Sequence, residues 1–99
     1  MNMLHNREQD RLIQAFQDME DGQAYKLLLT DSKGEPYQIK SGRLDKAAII
    51  DDVLYISARY SKAEKIDLYY IDEVKYEEKQ LQFVYQDGTK TIFRRRANK

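Results

Sequence analysis

The stretch Leu81-Gln-Phe-Val-Tyr-Gln-Asp-Gly-Thr-Lys-Thr-Ile-Phe-Arg-Arg95 decides the fold. Two runs rich in β-branched and aromatic residues, 81–85 and 90–95, flank Asp87-Gly88. Asp-Gly in that setting is the strongest short-range signal for a β-hairpin, because a type I′ turn needs positive φ at both central residues. With Asp87 and Gly88 central, Phe83 is expected to face Ile92, and Arg94 to face Leu81.

Upstream the same alternation of strand-forming runs and turn signals continues. Residues 24–30 and 36–40 are separated by Asp31-Ser32-Lys33-Gly34. Ser41-Gly42 reads as a second break, before 43–46 and 47–50. Asp51-Asp52 then turns the chain into 53–60, where Leu54, Ile56 and Ala58 share one face. Residues 65–70 and 74–77 complete the set. Six or seven short strands at this spacing predict a mainly β (α+β) domain. The expected form is a small antiparallel barrel or half-barrel, or a strongly twisted sheet, with a C-terminal hairpin.

Ahead of the strands the period changes to that of a helix. Asn6 and Gln9 have capping-box spacing, and Leu12, Ile13, Phe16 and Met19 recur on one face. A helix over about 7–20, stopped at Gly22, is predicted to pack on the sheet through Leu12, Phe16 and Met19.

Composition bounds the rest. The 99 residues make one domain, with 41% hydrophobic and 34% charged residues, as in a folded soluble protein. There are 17 basic and 17 acidic residues; without residues 90–99 the count is 12 basic against 17 acidic, so an acidic body carries a basic tail over 94–99. The absence of cysteine excludes a disulfide scaffold, a thiol nucleophile and a sulfur-built zinc site, and fits a cytoplasmic protein. No run reaches the roughly 18 apolar residues of a membrane span, so no membrane partner is expected.

The segment 53–74, VLYISARYSKAEKIDLYYIDEV, resembles the second half of a WYL domain. Leu54-Tyr55-Ile56 falls on that family's Trp-Tyr-Leu strand, and Ile66-Asp67-Leu68-Tyr69-Tyr70-Ile71 falls on its Phe-Arg-Leu-Asp-Arg-Ile pattern. Residues 25–40, with Ser32-Lys33-Gly34-Glu35, resemble its opening hairpin. The likeness covers about two-thirds of the chain and extends to YolD-like proteins and to other Sm-like and SH3-like small barrels. It implies an Sm-like barrel used as a regulatory or interaction module. The family's Asp-Arg pair lands on Tyr69 and Tyr70 and its Trp on Leu54, so the charges such a domain would offer an anionic ligand are missing.

No catalytic, cofactor-binding or metal-binding residue is assigned. His5 is the lone histidine and has no partner at a useful spacing. Asp51-Asp52, Asp72-Glu73 and Glu77-Glu78 are adjacent carboxylates, which diverge on strands and in turns and so suit turn chemistry. Glycines are isolated in turns, with no phosphate loop and no nucleophile motif. An enzyme is not expected. The eight tyrosines are strand formers and stacking surfaces, among them Tyr55, Tyr60, Tyr69, Tyr70, Tyr76 and Tyr85 on predicted strands.

The residues expected to touch a partner or a nucleic acid are Arg59, Tyr60, Tyr69, Arg94, Arg95 and Arg96. The first expectation is a non-enzymatic interaction module that meets a protein partner or a second copy through a sheet edge or a tyrosine face. The alternative is weak, salt-dependent binding of single-stranded nucleic acid by the tail and exposed tyrosines.

Overall fold

The computed structural model of the protein describes residues 6–18, 23–59 and 62–95. One helix, α1 (Asn6–Gln17), precedes seven strands: β1 (Ala24–Thr30), β2 (Pro36–Ile50), β3 (Val53–Ala58), β4 (Glu64–Asp67), β5 (Ile71–Glu77), β6 (Gln80–Tyr85) and β7 (Lys90–Arg95). All pairings are antiparallel, in the order β4-β3-β2-β1-β7-β6-β5. The expected mainly β domain with one helix and a C-terminal hairpin is what the chain forms.

β4 and β5 are the two outer strands of this sheet, yet only a 3-10 turn, Leu68–Tyr70, joins them. In a flat seven-stranded sheet the outer strands would stand about 29 Å apart, six steps of about 4.8 Å. The chain from Asp67 to Ile71 spans about 14 Å at full stretch. The sheet therefore curls until its edges approach. It does not close, because no ladder joins β4 to β5 among the described residues. Of the two expected forms, the closed barrel is corrected, and the chain takes the open sheet, strongly curled. Both edges are blunted: β4 has only four residues, and an irregularity between Ile71 and Glu73 interrupts β5.

The curl depends on β2. This 15-residue strand pairs with β1 through Arg43 and with β3 from Leu44 onward, so it bends where it changes partner. Ser41-Gly42, expected to be a break, lies inside the strand. A Cβ at Gly42 would stand 3.1 Å from Tyr25 Oη and 3.2 Å from Ala58 Cβ, so the missing side chain makes room for the Tyr25 ring.

The C-terminal hairpin differs from its expected register by one residue. Phe83 faces Thr91, Leu81 faces Phe93, and Gln80 faces Arg94. The Gly88 N–H donates to the Tyr85 carbonyl and the Tyr85 N–H to the Thr89 carbonyl, closing a three-residue loop in which Gly88 has φ +92° while Asp87 stays at negative φ. This is a turn with a glycine bulge, and it puts Leu81, Phe83, Thr91 and Phe93 on the buried face together. Both residues at positive φ are found instead at Asp51 (φ +52°) and Asp52 (φ +63°), between Ile50 and Val53.

α1 covers the concave face at one end. Leu12 and Phe16 are buried, and Ile13 and Ala15 pack against the core. Arg11 lies over the Tyr76 ring of β5 at 4.0 Å, and Gln9 Nε2 donates to Asp52 Oδ1 at 2.9 Å. The helix thus touches both halves of the curled sheet. Its predicted stop at Gly22 and the contact expected of Met19 lie outside the described residues.

Candidate functional site, a tyrosine-lined groove

At the Thr30–Lys90 end of the β1–β7 ladder, away from Phe93 and the helix, the curled sheet leaves a groove of about 480 Å³. That volume lies within the usual range for ligand sites. Tyr37 comes from β2, Tyr70 from the 3-10 turn and Tyr85 from the end of β6; Leu29, Thr91 and the hairpin residues Gln86, Asp87, Thr89 and Lys90 complete the lining.

Local chemistry explains each wall. Asp67 accepts the Tyr69 N–H at 3.0 Å, which stops β4 and starts the 3-10 turn. Leu68 anchors that turn in the core, leaving Tyr69 and Tyr70 about half exposed. The strand expected to run to Tyr70 therefore ends at Asp67, and these two tyrosines are not strand residues. Their rings meet edge-on at 5.1 Å. Gln86 binds this turn to the hairpin tip: its N–H donates to the Tyr70 carbonyl at 3.0 Å and its Nε2 to the Tyr69 carbonyl at 3.2 Å.

On the hairpin side, Thr91 Oγ1 donates to Tyr85 Oη at 3.1 Å. Burial pushes the Tyr85 phenol up; the Thr91 bond opposes this, while Tyr37, Asp67 and Asp87 add to it. Asp87 accepts from Thr89 Oγ1 at 2.7 Å and from the Thr89 N–H at 2.9 Å. Those bonds hold its carboxyl below the ordinary range. The groove is thus an aromatic surface whose described wall also carries one carboxylate, Asp87, and one ammonium, Lys90.

Of the expected contact residues, Arg59, Tyr69, Arg94 and Arg95 are described, and none of them lines the groove. Arg59 is exposed just beyond β3, its N–H donating to the Arg43 carbonyl at 3.0 Å. Tyr69 stands beside the groove without lining it. Arg94 is exposed at the opposite end of β7, its Nε donating to Gln80 Oε1 at 3.0 Å. Arg95 faces Tyr25, with its Nε enclosed and without a hydrogen-bond partner among the described residues. Tyr60 and Arg96 lie outside the described residues. Sequence reasoning did not select Tyr37, Tyr70, Tyr85 or Asp87 as contact residues. Asp67, three residues before Tyr70, and Asp87, two after Tyr85, were the local signals of turns that present these rings.

Among the described residues no group of three or more His, Cys, Asp or Glu side chains is placed to hold a metal ion, and no helix is long and apolar enough to cross a membrane. No family model, curated protein or solved structure matches the chain.

Proposed function

We propose that the protein is a non-enzymatic interaction module of the Sm-like type, and that it binds an extended segment of a partner protein in the tyrosine groove. The observation that carries this reading is the convergence of Tyr37, Tyr70 and Tyr85 from three separate elements on one opening. Tyrosine offers a large contact area at small entropic cost, and aromatic-lined grooves are a recurring mode of peptide recognition. The three-residue link between β4 and β5 supports the Sm-like reading, since it holds the sheet in a half-barrel. Selection from a random peptide library, followed by titration of the enriched peptides, tests the proposal. Affinity should fall about thirtyfold on Tyr70→Ala or Tyr37→Ala, the roughly 2 kcal/mol of a hot-spot aromatic. Enriched peptides that bind both variants unchanged would remove the groove reading.

A second reading, single-stranded nucleic acid held on the outer sheet face, is favoured by one specific pairing. Lys26 and Arg94 stand directly opposite each other on β1 and β7, both exposed. Like charges in that position cost stability unless an anion lies between them. Titration of a labelled oligothymidylate at low salt separates the readings: binding abolished by Arg94→Glu and indifferent to Tyr70→Ala would favour this one.

A further inference from the structure

The groove's chemistry goes beyond a generic peptide site. Tyr37, Tyr70 and Tyr85 line it, and the face of each ring carries negative electrostatic potential. Tyr70 is steadied edge-on by Tyr69, and Tyr85 is fixed through Thr91. Asp87 lies in the lining, and Asp67 and Asp87 act electrostatically on the Tyr85 phenol. Lys90 is the one cation of the lining among the described residues.

The lining is mostly apolar, and its one carboxylate among the described residues, Asp87, already accepts two hydrogen bonds from Thr89. A bare ammonium would give up hydration there without full replacement. An ammonium whose hydrogens are replaced by methyl groups loses less water and presents carbon to the rings while keeping its charge.

We infer that the groove takes an alkylated ammonium side chain, such as a methylated lysine, on the partner's extended segment. The cation sits among Tyr37, Tyr70 and Tyr85, with the Asp87 carboxylate of the lining as its counter-charge. This inference rests on the groove being the binding site.

The test uses the full chain and three probes: a short peptide with one trimethyllysine, the same peptide with the neutral tert-butyl carbon analogue, and choline. Isothermal titration should show the charged peptide binding about fivefold to tenfold more tightly than its neutral analogue, the range set by a cation over aromatic faces. Tyr70→Phe should keep that preference, since the ring supplies the attraction, and Tyr70→Ala should lose it. Asp87→Asn should weaken the charged peptide alone, and Lys90→Met should tighten it. Equal affinity for the charged and neutral peptides would overturn the inference, as would choline binding as tightly as the peptide, which would mark a small-metabolite site. If library-selected peptides bind through Tyr70 and no cationic probe does, the inference falls and the peptide-groove reading stands. If no peptide of either kind binds, both fall.

Discussion

The ring of Phe16 on the helix meets the ring of Phe93 on β7 edge-on at 4.9 Å, while Tyr25 stacks on Phe93 at 5.0 Å. Three chain segments thus converge on one aromatic cluster, and Phe93 is at its centre. The contact ties the helix to the strand pair at the middle of the sheet. Truncation of Phe16, which is 3% exposed, should cost about 3 to 5 kcal/mol in urea unfolding. A loss below about 0.5 kcal/mol, the size of a neutral surface change, would show that the helix is not docked there.

Gly42→Ala should destabilise by about 1 to 3 kcal/mol, the usual cost of overpacking a filled site. The new methyl would meet Tyr25 Oη and Ala58 Cβ at the bend of β2. Pairing the change with Tyr25→Phe removes the hydroxyl and should recover part of the loss. Full tolerance of Gly42→Ala in the wild-type background would mean that β2 bends for another reason.

Lys79 has φ +71° in the two-residue turn between Glu77 and Gln80, at a position where glycine or asparagine is the usual occupant. Lys79→Gly should raise stability by about 0.5 to 1 kcal/mol, the relief of left-handed backbone outweighing the added chain entropy. A shift of the denaturant midpoint to lower urea at constant slope would contradict the conformation assigned to this turn.

Alkaline pH should loosen the fold. Burial raises the phenols of Tyr25, Tyr76 and Tyr85 above the ordinary value of 10.0; Glu64 adds to the rise at Tyr25, and Arg11 opposes it at Tyr76. A phenol that ionises later in the folded chain than in the unfolded one leaves stability intact below pH 10. That stability is lost as pH climbs through the folded values. Absorbance at 295 nm should therefore show late-ionising tyrosines whose titration coincides with unfolding followed by circular dichroism. Complete ionisation of all eight tyrosines near pH 10 with the fold unchanged would refute it.

Local pattern was enough for much of this architecture. The alternation of Leu54, Ile56 and Ala58 reads directly as one buried strand face, and Leu12 with Phe16 as a helical stripe. The Asp51-Asp52 turn was legible for the same reason, because Asp tolerates the left-handed region. The hairpin register was misread because turn type depends on which residues adopt positive φ, and Asp87 does not. Burial parity would have decided it: Leu81, Phe83 and Phe93 share a face only if Phe83 meets Thr91.

The 3-10 turn was hidden behind the strand propensity of Leu68-Tyr69-Tyr70; what overrides it is the Asp67 carboxylate. The continuity of β2 was hidden because Ser41-Gly42 has the composition of a turn, and only the Tyr25 ring from another strand gives the glycine its purpose. The groove was illegible for a stronger reason. Leu29, Tyr37, Tyr70 and Tyr85 are far apart in the chain, and strand order rather than spacing gathers them.

That strand order also governs how the molecule can assemble. β1 and β7, the first and last strands, pair at the centre of the sheet, whereas the hairpins on either side are local in sequence. A nascent chain can form β2 with β3 and β5 with β6 as they emerge, but the seam uniting the halves awaits β7. Until then Tyr25 and Leu27 lack the neighbour strand that covers them, and Phe16 lacks its ring partner Phe93. Synthesis of this domain therefore leaves an interval of sticky, half-built sheet that ends only when its final strand slides into the middle.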